Sequence, residues 1–285
     1  MSLSAMAQQD TLSIGFCNGE VATTSEHEMD GKCWNEAAIY LPKSVLSAYK
    51  GNVIAGVRAG LVNVLNTDSL ITWVRSEKEG KNISSALVIR KTGKNNVVKG
   101  WNKLVFDKPY TITGDEDGLY IGYSIRQKAS VEIISTVGSQ RIGTSYIKQG
   151  TDGWKDISQE GVLSIEALVT GGNMPQYDLG IASATIVPAP SVSPTALKVS
   201  LSVHNYGTKT VDGFTLSMDA DNLGSFSSHI SQALESTADA NITYTVDPGV
   251  ANDGDTKWTI NLTGIDNAAD SNSENNSTVP FYTYI

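Results

Sequence analysis

The sequence predicts an all-β chain folded as two consecutive sandwiches, and three observations carry that prediction. Short runs rich in Val, Ile, Thr and aromatic residues recur about every 8–15 residues, separated by Gly, Asn and Asp, the pattern of strands joined by turns. The length, 285 residues, exceeds one typical domain and suits two. The charge is divided: residues 1–175 hold 18 basic and 18 acidic side chains, whereas residues 176–285 hold three lysines, no arginine and twelve acids, and so carry the whole formal charge of −9. The strand pattern breaks at Gly171-Gly172-Asn173-Met174-Pro175, a cluster of turn formers that marks a boundary. The expected organisation is a residual leader over residues 1–10, a first domain over 11–172 and a second over 176–285.

In the opening MSLSAMAQQD, Ala5-Met6-Ala7 has the small-x-small form of a signal-peptidase site and is followed by polar residues. It reads as the tail of a secretion signal, which places the protein outside the cytoplasm: secreted, periplasmic or on an outer-membrane surface. No later segment approaches the roughly 18–20 apolar residues of a membrane helix. Cys17 and Cys33 make an even pair, which in an exported chain predicts a disulfide worth about 3 kcal/mol on the chain-entropy model. A metal site or a Cys–His pair with His27 lacks both ligand spacing and an orienting partner.

In the first domain, strands are expected at 37–41, 53–61, 69–75, 101–106, 119–126, 131–137 and 163–169. Ile71, Trp73 and Arg75 alternate with Thr72 and Val74, and Leu119, Ile121 and Tyr123 with Tyr120, Gly122 and Ser124, so each strand presents two distinct faces. The single helical candidate is 42–49, with Pro42 at its start, Leu46 and Tyr49 on one face and Gly51 past its end. In the second domain, strands are expected at 177–187, 197–203, 214–218, 241–246, 257–262 and 279–284. Leu197, Val199, Leu201 and Val203 alternate with Lys198, Ser200, Ser202 and His204, which sets one face in a core and predicts His204 at the surface. About seven such strands in a domain of this size predict an immunoglobulin-like sandwich.

Few residues point to chemistry. Asp115, Glu116 and Asp117 stand between Gly114 and Gly118, and carboxylates on a tight loop suit Ca²⁺. The loop 266–276 adds three more acids without a bulky apolar residue and reads as a mobile polar loop, with calcium binding as the alternative. Trp34, Trp73, Trp101 and Trp154 are potential sugar-stacking platforms. Trp73 and Trp101 lie inside strands and read as core, as does Trp258, which leaves Trp154 the better platform, with Asp152 and Asp156 able to accept hydrogen bonds from sugar hydroxyls. Asn82-Ile83-Ser84, Asn241-Ile242-Thr243 and Asn261-Leu262-Thr263 match the glycosylation acceptor pattern and are expected to be unoccupied in a bacterial protein. The chain has no G-x-S-x-G, H-E-x-x-H, phosphate loop or dinucleotide fingerprint, so a non-catalytic role is expected. A pI near 4.8 argues against nucleic acid as partner.

Two sets of residues carry resemblances. Tyr177-Asp178-Leu179, Val203-His204-Asn205-Tyr206-Gly207 and Glu274-Asn275-Asn276 resemble the bacterial cell-adhesion-related domains known as CARDB, which implies an immunoglobulin-like spacer. Glu36 to Pro42, Trp73-Val74-Arg75, Gly100-Trp101-Asn102 through Ile112, Leu119 to Tyr123 and Asp152-Gly153-Trp154 resemble jelly-roll modules of Bacteroidetes surface proteins, similar to the cleaved-adhesin domains of gingipain-type proteases and haemagglutinins. That resemblance implies a jelly-roll-like sandwich of adhesive or carbohydrate-binding type, with structural calcium. The function expected from it is cell adhesion, or binding of a glycan or host protein, through the first domain. The alternative is a non-catalytic region of a larger secreted peptidase or thioredoxin-like outer-membrane protein.

Overall fold

Strand alternation leaves each sheet with an aliphatic phase that has to be covered, and in both halves of the chain two antiparallel sheets cover one another. The computed structural model describes residues 11–25, 27–77, 86–138, 140–250, 254–266, 268–278 and 280–284. The leader reading of residues 1–10 and the acceptor Asn82-Ile83-Ser84 lie outside them. The chain divides into two compact units, Met1–Met174 and Pro175–Ile285.

The principal strands of the first unit are β1 (Thr11–Gly15), β2 (Trp34–Pro42), β3 (Val53–Leu61), β4 (Thr67–Arg75), β5 (Val88–Gly93), β6 (Gly100–Thr111), β7 (Gly118–Gln127), β8 (Ser145–Gln149), β9 (Lys155–Asp156) and β10 (Ile165–Thr170). They form a four-stranded sheet, β1-β10-β3-β6, and a six-stranded sheet, β9-β8-β2-β7-β4-β5, which make a jelly-roll-like sandwich. Two-residue ribbons pair Glu28–Met29 with Val131–Glu132, and Thr136–Val137 with Val162–Leu163. Ala37, Ile39 and Leu41 of β2, with Leu119, Ile121 and Ile125 of β7, form the inward phase of the six-stranded sheet, opposite Ile54, Val57 and Ala59 of β3; all are fully buried. Each of the larger aliphatic side chains contributes about 1.5–3 kcal/mol by leaving water. The expected helix is two short turns, Lys43–Leu46 and Ser47–Tyr49. It ends at Gly51, whose φ of +83° needs a residue without Cβ.

In the second unit, β11 (Leu179–Pro188), β12 (Leu197–Asn205) and β15 (Asp239–Val246) form one sheet, and β13 (Phe214–Ala220), β14 (Gly224–Ile230), β16 (Asp255–Ile265) and β17 (Phe281–Tyr284) form the other. The orders are β11-β12-β15 and β14-β13-β16-β17. This is an immunoglobulin-like sandwich whose fourth strand joins the sheet of the third and sixth. Trp258 is the central aromatic of its core, fully buried, with Nε1 donating to Thr283 Oγ1 at 2.9 Å.

Two of the strands absent from the sequence reading share one physical cause. β5 and β14 lie at sheet edges and are largely polar or exposed, with burial on neither phase, so alternation gives no signal. The run expected at 131–137 breaks into two short pieces. His204 corrects the surface assignment: it is buried, with Nδ1 2.7 Å from Asp239 Oδ1 and its ring centroid 4.3 Å from that of Tyr206. Its neighbour across the sheet is Gly180, and Tyr206 and Asn275 pack over that bare position.

The cysteines correct a second expectation, because both are free thiols. Cys17 is buried and its Sγ donates to Glu166 Oε1 at 3.2 Å, whereas Cys33 lies 3.5 Å from Asp30 O and from Asn35 Oδ1. Burial pushes the Cys17 thiol far above the usual range, and the Glu166 carboxylate adds to the push, so the thiol is a protonated donor rather than a nucleophile. Ellman titration of the unreduced, unfolded chain is expected to find two thiols, with Cys33 alone reacting before unfolding. A chain with no titratable thiol until reductant is added would restore the disulfide.

Candidate functional site

Antiparallel pairing places residues of equal phase on one face, so the outward side of the six-stranded sheet can be read directly from the register. Ala38 pairs with Tyr146 and Gly122, and Gly122 with Trp73; Tyr40 pairs with Tyr120, and Tyr120 with Arg75; Glu36 pairs with Ser124, and Ser124 with Ile71. A sheet face turned to solvent is ordinarily polar. This one instead holds a small apolar cluster of its own, with Ala38, Ile71 and Trp73 buried and Trp34, Tyr120 and Trp154 half-buried against them.

Trp73 is the floor of this face. A Cβ on Gly122 would stand 2.6 Å from Trp73 Cη2, so the ring lies flat across a strand that has no side chain there. Its Nε1 donates to Ser124 Oγ at 2.9 Å, and the Arg75 guanidinium stacks 3.7 Å from its centre while Arg75 Nη1 donates to Glu36 Oε2 at 2.7 Å. Trp154, carried in by the loop before β9, meets Trp73 edge to face with centroids 6.3 Å apart. Beside this pair runs a ladder of phenols, with Tyr40 4.8 Å from Tyr120 and Tyr120 5.9 Å from Tyr146. Tyr40 donates to Asp117 O and Tyr146 to Gly143 O. Burial pushes the Tyr146 phenol up to about 12, with Asp156 adding to it, so the hydroxyl stays protonated at neutral pH.

Of the residues proposed for a ligand, the structure brings Trp154 and Asp156 to this face: Asp156 pairs with Tyr146 and stays exposed, its Oδ1 accepting from Ser158 N. Asp152 goes elsewhere. It lines an open cleft of about 240 Å³ with His27, Gln149 and Lys155, at the inward phase of β8 and β9. Trp34 joins the face and Trp73 underlies it. Trp101 is corrected from core to the outer side of the four-stranded sheet, half-buried, with the Arg58 guanidinium 4.3 Å from its ring and its Nε1 donating to Gly19 O. The phenols, Glu36 and Arg75 were missed in the sequence, although their signal was there: Tyr40, Tyr120 and Tyr146 all fall on the phase opposite an aliphatic one.

The hairpin of Asp115, Glu116 and Asp117 does not gather its carboxylates. Glu116 turns back on its own loop, with Oε1 accepting from Tyr110 Oη and Thr113 N and Oε2 from Gly114 N, each at 2.8 Å. Burial works to raise its pKa, but these donors outweigh it and hold the carboxyl at about 2. Asp115 and Asp117 are exposed, and among the described residues no three His, Cys, Asp or Glu side chains converge on a metal. The loop is a carboxylate-capped turn.

No family model matches the chain, and no curated protein matches it. Among solved structures it is similar to a GH2 β-galacturonidase from Eisenbergiella tayi bound to galacturonate, at 10% identity and TM-score 0.31, over 98% of this chain and 44% of that one. It is also similar to the exo-chitosanase of Amycolatopsis orientalis, at 10% identity and TM-score 0.26, over 88% of this chain and 25% of that one. The chain thus spans less than half the length of either. Likeness at this level assigns neither family nor activity, and the function has to come from the chain's own residues. Among those described, no helix is long and apolar enough to cross a membrane.

Proposed function

We propose that the chain is a non-catalytic, extracytoplasmic binding protein that takes a glycan on the outward face of the six-stranded sheet of its first unit, with the second unit as spacer. One observation carries this reading. Five half-buried aromatic rings, Trp34, Tyr40, Tyr120, Tyr146 and Trp154, share one sheet face whose own sandwich core is already closed on the other side. Flat rings pack on the apolar faces of pyranoses, and a partly wet ring has contact area left to offer. Asp156, exposed at the rim, supplies an acceptor for sugar hydroxyls, and Glu36, partly exposed and held by the buried Arg75, supplies a second. The acidic second unit repels its own kind and stays soluble, as a stalk should.

Affinity electrophoresis of the full chain through gels containing bacterial and host polysaccharides, backed by a glycan array, tests the proposal. A retarding glycan is expected, and Trp154→Ala is expected to weaken it about tenfold or more, the loss of one aromatic anchor. Retention unchanged in Trp154→Ala, or flat binding across all glycans, would remove this face from the function.

A further inference from the structure

Register fixes the charge of the aromatic face as well as its rings. On the outward phase of the six-stranded sheet, Lys148 of β8 pairs with Glu36 of β2, Glu36 with Ser124 of β7, Ser124 with Ile71 of β4 and Ile71 with Lys91 of β5. One step further along β7, Arg126 stands between Trp34 and Ser69. The ionisable side chains that the strands present on this phase are Lys91, Arg126, Lys148 and Arg75 against Glu36 and Asp156. Residues 1–175 hold equal numbers of acids and bases, so this surplus of cations belongs to the face and not to the composition of the unit.

The one acid in the row is already engaged. Glu36 accepts from Arg75 Nη1, and Arg75 is 1% exposed, with its Nε and Nη2 given no acceptor. Glu36 thus answers a single edge of a buried guanidinium and has no charge to spare for a second cation. Among the described residues Lys91, Arg126 and Lys148 have no ion-pair partner; the first two are exposed and Lys148 is half-buried. The other acids of the face lie by the phenols. Burial pushes the Tyr40 and Tyr146 hydroxyls up, Asp117 adding to the first and Asp156 to the second. Two residues along a strand span about 6.8 Å, so the basic row runs within a long side chain's reach of the stripe made by Tyr146, Ala38, Gly122 and Trp73.

We propose that the glycan taken by this face is an acidic one, a sugar chain bearing carboxylate or sulfate groups. The inference rests on the glycan reading above and names its class. The rings stack the sugar, while Lys148, Arg126 and Lys91 meet its anionic substituents, the arginine through a paired donor fork and the lysines as point charges. A neutral sugar gains nothing from these three cations, and an amino sugar is repelled by them.

The test sets paired polymers against each other in affinity gels of the full chain: polygalacturonate against its methyl ester, and dextran sulfate against dextran. At least one acidic polymer is expected to retard the chain about tenfold more strongly than its neutral partner, the two pairs separating carboxylate from sulfate. Added salt at about 0.5 M is expected to remove most of that difference. Lys148→Gln with Arg126→Gln is expected to weaken retention by the acidic polymer about five- to tenfold. Lys103→Gln with Lys209→Gln, which removes the same charge from exposed positions off this face, is expected to leave it unchanged. Equal retention within both pairs, or array binding confined to neutral glycans, overturns the inference while the glycan reading stands. Equal loss in the two double variants also overturns it, because attraction would then belong to the whole chain. Retention by no polymer and no array glycan overturns both.

Discussion

Replacing Arg58 by Ala is expected to destabilise the first unit by about 3–5 kcal/mol, the cost of stranding a buried charge. Glu166 is 3% exposed, on a strand of the four-stranded sheet, and is paired with Arg58, which is 27% exposed. The segment after β1 folds back across that pair: Cys17 Sγ and Gly19 N both donate to Glu166 Oε1. Removing Arg58 leaves the carboxylate without its cation where water cannot replace it, and strips the stacking partner from Trp101. Glu166→Gln keeps an acceptor for Cys17 and Gly19 and leaves a charge that can reach water, so it is expected to cost less. Urea unfolding of both variants, followed by Trp fluorescence, gives the ranking. If Glu166→Gln proves the costlier of the two, the desolvated charge is the arginine and the burial argument is wrong.

Trp73→Ala is expected to cost about 3–5 kcal/mol as well, from the cavity left by a fully buried indole. The consequence for binding is more specific. Trp154 loses the ring it meets at 6.3 Å, and Arg75 the surface it stacks on at 3.7 Å, so the aromatic face loses its floor. Below its melting temperature the variant is therefore expected to bind the retarding glycan at least as poorly as Trp154→Ala, although Trp73 itself is sealed from solvent. Trp73→Phe keeps most of the packing and is expected to retain binding. Circular dichroism shows whether the variants are folded, and gel retention then reads the face. A folded Trp73→Ala chain with undiminished retention would show that the rings do not act together.

Much of the fold was legible because its cues are local. The alternation in 53–61 and 119–126 and the Pro42 to Gly51 frame each act within a few residues, and each yields the element expected, the helix shortened to two tight turns. Edge strands such as β5 and β14 escaped because neither of their phases is consistently buried, which removes the periodic signal.

The sites were less legible, since alternation says that a strand has two faces but not what covers each of them. Trp73 reads as core, and it is buried, yet on the face away from the sandwich interior, where a loop some eighty residues later brings Trp154. Cys17 invited pairing with the nearby Cys33, whereas its partner Glu166 lies 149 residues along the chain. His204 sits on the polar phase of its strand but finds Asp239 from a strand 35 residues on. Asp115, Glu116 and Asp117 looked like a cation loop until the loop's own N–H groups claimed Glu116. Composition and period set the strands, the two units and the division of charge between them, because those depend on neighbours in sequence. Which thiol, carboxylate or ring has a partner depends on strand order and on what packs across a face, and only the folded chain decides that.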